Sequence, residues 1–337
     1  MREFTYAAPE RPALALAALA RAGAAPIAGG TELLNWMRLG IAEPAELVDV
    51  GRIGGWDRIA LEDGMLHIGA LATLNAVEAH EDVRRYAAAL SQACLKAASA
   101  QVRNRATLGG NVLQKTRCEY FRAEAPLPWP CNKRDPGSGC AARHGVNERH
   151  AILGWTDACV ATQPSDPAVA LACLDAEADV IGPDGPRSIA MTEFHLSQAQ
   201  AAELSPGRAA QLETRLAPGE LIAGYRIPLR EGERSAYVKV RERESFEYAL
   251  VAAAAAVRLE GGVVREARLA LGSVAQKPWR LDAAEAVLAG APLTREIARS
   301  AIRAALADAR PLAMNAYKIE MGANAALRAL LAAGGQA

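Results

Sequence analysis

The sequence predicts an α+β architecture in two parts, and three observations lead there. Two Gly-Gly turns, Gly29-Gly30 and Gly109-Gly110, each adjoin a short helical pattern. Between residues 114 and 150, Pro126, Pro128, Pro130, Pro136, Gly137, Gly139 and Gly145 break every regular period. From Ser235 onward, alternating apolar runs at residues 236–241, 248–260 and 263–273 precede helical patterns at 281–289 and 293–309, which predicts a small antiparallel sheet backed by helices.

Residues 13–22 read as an Ala/Leu helix stopped by Gly23, and 25–28 as a short strand running into Gly29-Gly30-Thr31-Glu32. Residues 33–38 then have helical apolar spacing and end at Gly40. Strands are expected at 46–50 and 65–68, and a long amphipathic helix at 83–100. Beyond the irregular stretch, 169–175 returns to core periodicity, with strands at 178–181, before Gly182-Pro183-Asp184-Gly185, and at 221–227.

The chain has 337 residues, enough for two or three domains and a sizeable core. Lys plus Arg equal Asp plus Glu at 38 each and aromatics are 5%, so no basic, aromatic-rich nucleic-acid surface is expected. The N-terminus lacks the apolar core of a signal peptide, and the run 252–257 is too short to span a bilayer, so membrane insertion is not expected. No repeat period organises the chain.

A glycine pair lets backbone N–H groups approach a diphosphate closely, although most such pairs are plain turns. Neither turn has the spacing of a Rossmann or P-loop phosphate cradle. Two of them, with Thr107 and Asn111 beside the second, provide two cradles for one dinucleotide. Four of the six cysteines fall within residues 118–159 with the spacing C-x12-C-x8-C-x18-C, which is neither a ferredoxin run nor a paired zinc motif. A loop this long needs something to fix it, and four thiolates on one metal centre would do so. His144 and His150 flank Cys140 but read as ordinary loop histidines, while Cys94 and Cys173 read as small buried hydrophobes.

The segments Ala28-Gly29-Gly30-Thr31-Glu32-Leu33-Leu34, Val102-Arg103-Asn104-Arg105-Ala106-Thr107-Leu108-Gly109-Gly110-Asn111 and Pro164-Ser165-Asp166 resemble the FAD-binding subunits of the xanthine dehydrogenase and aldehyde oxidoreductase family. The similarity extends through Tyr237-Val238-Lys239-Val240-Arg241 and covers nearly the whole chain. It implies a two-part FAD-binding domain of the vanillyl-alcohol-oxidase/PCMH type at residues 1–215. A domain like the C-terminal part of the CO dehydrogenase flavoprotein follows at 216–337, with the flavin between the two. By resemblance FAD is held by Pro26, Ile27, Ala28, Gly29, Gly30, Thr31, Glu32, Leu33, Thr107, Gly110, Asn111, Asp166, Ile222 and Lys239. Ile222 reads equally as plain core.

The sequence departs from the typical family pattern by an insertion over about 114–160. Its segments around Cys118 and from Cys131 to Cys140 resemble the periplasmic aldehyde oxidoreductase version of this subunit, which implies a 4Fe-4S cluster on Cys118, Cys131, Cys140 and Cys159. The resemblance further implies a molybdopterin-binding large subunit, a small subunit with 2Fe-2S clusters, and an electron-transfer role in oxidising aldehydes to carboxylic acids, with no catalytic acid or base in this chain. The compartment is the periplasm, by export on a partner's signal, or the cytoplasm. Two other readings compete: a self-contained flavin oxidase or reductase, and a zinc-stabilised assembly module with purely structural Gly turns.

Overall fold

The computed structural model describes residues 1–336. A small parallel sheet forms first from β1 (Thr5–Ala7), β2 (Ala24–Ile27) and β3 (Glu46–Asp49), with β3 between the other two. The helix Pro12–Leu19 packs beside it, with Pro12 in its first turn, where the missing N–H costs no helical bond.

A five-stranded antiparallel sheet follows from β4 (Ile59–Glu62), β5 (Met65–Gly69), β6 (Glu177–Gly182), β7 (Gly185–Ala190) and β8 (Leu221–Pro228), in the order β4-β5-β8-β6-β7. Because β8 is bonded to both β5 and β6, residues 221–228 belong to this sheet. The division expected after residue 215 therefore moves to the C-terminal side of Pro228.

The last sheet is antiparallel, in the order β12-β11-β10-β9, from β9 (Glu233–Val240), β10 (Val251–Glu260), β11 (Val263–Gly272) and β12 (Trp279–Arg280). Side chains of a strand alternate between faces, and β10 uses both. Ala252, Ala254 and Ala256 join the core of the first domain, while Val251, Ala253, Ala255 and Val257 join the core under the C-terminal helices. The buried helix Asp166–Cys173 contacts the sheet from the first domain, and Tyr317–Ala333 packs on β10 from the second. The alanine run thus fits a strand covered on both faces, where small side chains allow close approach.

The expected helix over 83–100 is interrupted into Glu81–Tyr86, Ala88–Lys96 and Ala100–Arg103. Ala87 leaves the helical region at φ −134° and ψ 49°, and the Ala89 N–H beyond it donates to Ser235 Oγ of β9 at 3.0 Å. The helix Tyr317–Ala333 was not among the sequence expectations. Most of residues 114–150 is irregular, as expected, with only short helical turns at Glu119–Arg122 and Ala141–Arg143.

Candidate functional site

The two glycine turns meet. A Cβ on Gly29 would overlap the carbonyl oxygen of Arg105, so only glycine permits this approach, and Gly30 holds the left-handed φ of 74°. The N–H groups of Gly29, Gly30 and Thr31 donate to no backbone carbonyl among the described residues. On the facing turn Thr107 caps its short helix, its Oγ1 accepting from the Gly110 N–H at 3.2 Å, and Asn111 Oδ1 accepts from Ser165 Oγ at 2.7 Å.

These turns wall a cleft of about 740 Å³, within the range of small-molecule and cofactor sites. Residues 26–33 and Thr107, Gly110, Asn111 and Asp166 all line it, and the charged loop after β9 closes it with Arg243, Phe246 and Tyr248. The cleft is therefore built from both domains. Past Ala28, Gly29 and Thr107 it continues into a groove bordered by Asp49, Arg52, Asn104 and Arg105.

Asp166, 5% exposed, accepts from Tyr237 Oη at 2.5 Å and from Lys239 Nζ at 2.8 Å. Lys239 stands behind Asp166 and does not line the cleft. Ile222 packs in the core with Leu66, Ile68 and Val180, away from the lining. The Glu32 carboxylate accepts from Trp36 Nε1 at 2.9 Å and pairs with Arg117 at 2.9 Å and with Arg122. Glu32 thereby ties the first glycine turn to the insertion on either side of Cys118.

All six cysteines are unpaired as disulfides. Cys118, Cys131, Cys140 and Cys159 line one small cavity, whereas Cys94 and Cys173 lie fully buried in the main core. Cys131 and Cys140 face each other across an antiparallel bridge, and Cys159 closes a turn on Thr156. The Ala161 N–H donates to Cys159 Sγ at 3.5 Å, backbone amides of Phe121 and Tyr120 face Cys118, and those of Arg134 and Lys133 face Cys131. Burial pushes the Cys118 thiol up to about 12 and that of Cys159 up to about 11. The buried Lys133 side chain opposes the shift at Cys159 and is itself paired with Glu213 at 2.8 Å. Among the described residues no three His, Cys, Asp or Glu side chains converge on a single-ion site. The four cysteines line the one small cavity.

Sequence reasoning missed Trp36, Lys115, Arg117 and Tyr248 at the cleft. Lys115 lies 5.5 Å from the centre of the Trp36 ring and the Arg117 guanidinium 4.2 Å from that of Tyr248. Arg117 and Tyr248 are 131 positions apart in the sequence (248 − 117), and no local motif announces their stacking.

Residues 2–230 match the family described as the FAD binding domain in molybdopterin dehydrogenase, and residues 236–333 match the CO dehydrogenase flavoprotein C-terminal domain. The chain belongs to the FAD-binding medium subunits of the molybdenum hydroxylase family. The aldehyde oxidoreductase FAD-binding subunit PaoB of Escherichia coli K12 is 44% identical over 95% of this chain and 94% of its own length. The carbon monoxide dehydrogenase medium chain of Afipia carboxidovorans is 28% identical over 91% of this chain and 86% of its own. Carbon monoxide dehydrogenase from Hydrogenophaga pseudoflava, in a form lacking the Mo-pyranopterin moiety, superposes with a TM-score of 0.76 at 27% identity, covering 99% of this chain and 98% of the other. As a member of this family the chain is an oxidoreductase subunit with a two-part FAD-binding domain followed by a flavoprotein C-terminal domain. No helix among the described residues is long and apolar enough to cross a membrane.

Proposed function

We propose that this chain is the FAD-carrying electron-transfer subunit of a molybdenum-dependent aldehyde oxidoreductase, and that its insertion holds a 4Fe-4S cluster. The observation that carries the reading is the single cleft into which both glycine turns, Asp166 and the Arg243–Tyr248 loop converge. Its partners would be a large subunit with the molybdopterin cofactor and a small subunit with 2Fe-2S clusters, as the 44% identity to an aldehyde oxidoreductase FAD-binding subunit supports.

The residues present fit both groups. The free N–H groups of Gly29, Gly30 and Thr31 suit a diphosphate, and Thr107, Gly110 and Asn111 stand opposite them. Asp166, fixed by Lys239 and Tyr237, offers an acceptor to the polar chain of FAD, and the apolar lining with Tyr248 offers a surface to the isoalloxazine. Bound FAD supplies the exchange between one-electron and two-electron chemistry. This electron exchange requires no general acid or base from the chain.

For the cluster, the support is a donor set of four thiols around one cavity with backbone N–H groups directed at sulfur, the environment such clusters use. Arg117 and Tyr248 border both the flavin cleft and the space beside Cys118, so the two sites are neighbours, as a relay requires.

An absorption spectrum with iron and sulfide analysis on anaerobically purified protein tests the whole reading, repeated on Cys131→Ser. Flavin bands, about four irons per chain and selective loss of iron in the variant are expected. Flavin without iron removes the cluster and keeps the flavoprotein; a colourless protein overturns both.

A further inference from the structure

Beside the four cysteines stands a buried polar residue that the fold holds in place, His150, which reads from sequence as an ordinary loop histidine. Its Nε2 lies 3.2 Å from Cys118 Sγ, and the residue is 6% exposed. The backbone that carries it is held by residues far along the chain. Asn315 Nδ2 donates to the carbonyls of His150 and Ala151 at 3.1 and 3.2 Å. Lys318 Nζ donates to those of Arg149, His150 and Ser273 at 2.9, 3.0 and 2.8 Å. Asn147 Oδ1 accepts from the Met314 N–H at 3.0 Å. Asn147, Asn315 and Lys318 are all fully buried, and burying three polar side chains is costly unless each is matched. Here each is matched, and Asn315 and Lys318 both bond the His150 carbonyl itself.

We infer that His150 is a positioning residue for the cluster, donating its Nε2 proton to the sulfur of Cys118 and thereby setting the cluster's reduction potential. This rests on the reading of Cys118 as a cluster ligand. A ligating sulfur carries no proton, so in the hydrogen bond at this distance the imidazole is the donor. Nδ1 makes no hydrogen bond, so Nε2 is the ring nitrogen engaged with the sulfur and carries the proton. Hydrogen bonds to cluster sulfur favour the more negative, reduced state and raise its potential. The C-terminal segment from Met314 to Lys318 thus acts on the redox site through His150, although it contributes no ligand.

The test is a redox titration of the full complex followed by electron paramagnetic resonance, on wild type, His150→Leu and His150→Gln, with iron counted in each. Removing the donor should shift the one-electron reduction equilibrium roughly tenfold toward the oxidised cluster, about 59 mV lower. Glutamine, whose amide can still donate, should recover part of that shift. An iron-loaded Leu variant with unchanged potential and spectrum overturns the inference, whereas wild type without iron removes the cluster reading on which it stands. If the Leu variant does not assemble its cluster, the wild type decides. Protein carrying isotopically labelled histidine should show weak nitrogen coupling to the reduced cluster that disappears in His150→Gln, and an absent coupling overturns the inference.

Discussion

At Gly29 the backbone of the first turn lies against the Arg105 carbonyl, where a methyl group would overlap that oxygen. Gly29→Ala must therefore push the two walls of the cleft apart. Overpacking of this kind costs about 1–3 kcal/mol, and it displaces the N–H groups proposed to meet the FAD diphosphate. The variant should purify with less than a tenth of the wild-type flavin, measured by absorbance after denaturation, while folding with near-native circular dichroism. Asp166 makes a second residue-scale case, because Lys239 is buried beside it, with side chains 6% and 1% exposed. Lys239→Met leaves the carboxylate with Tyr237 alone. Removing one partner of a buried ion pair destabilises by roughly 3–5 kcal/mol, which urea denaturation should report as a lower midpoint at unchanged slope.

Among the larger elements, the insertion is fastened by ion pairs that tie it to the rest of the fold. Lys133 and Lys115 both meet Glu213, which burial would push up but the two ammonium groups hold down at about 2, against an ordinary value of 4.5. A carboxylate depressed on folding contributes stability that is full above the unfolded value and is lost as pH falls through the folded one. The chain should therefore lose stability between about pH 4.5 and 2, and Glu213→Gln should flatten that part of the profile while being less stable at pH 7. Thermal melts across this range check both parts. The insertion was legible in the sequence because Pro and Gly break every period and cysteines crowd inside it. Its anchors were not, since Glu213 lies far along the chain and Glu32 read as part of the first cradle. The break at Ala87 was equally hidden: no Gly or Pro marks it, and the N–H beyond it is satisfied by Ser235 from a distant strand. Tyr317–Ala333 escaped for a related reason, because Lys318 and Gly322 sit on its buried face and blur the apolar stripe. The glycine turns were legible as turns, because a short local motif defines them. The Arg117–Tyr248 stack exists only once both domains are folded.

Across the whole molecule, β10 belongs to two cores at once, and the cleft is closed by a loop of the C-terminal domain. Neither domain can unfold without exposing one face of β10, so a single cooperative thermal transition is expected although the chain has two domains. FAD should bind the folded chain and not the unfolded one, and at a free concentration of a hundred times Kd this is worth about 2.7 kcal/mol. For a chain of this size that corresponds to a rise in Tm of roughly 4 °C. Tyr248 carries the contribution of the second domain, since its ring lines the cleft and stacks on Arg117. Tyr248→Ala should therefore weaken FAD and shrink the rise without dividing the transition, as read by calorimetry with and without added FAD. A wild-type melt that splits into two steps, of which only the earlier moves with FAD, would show that the C-terminal domain takes no part in holding the cofactor.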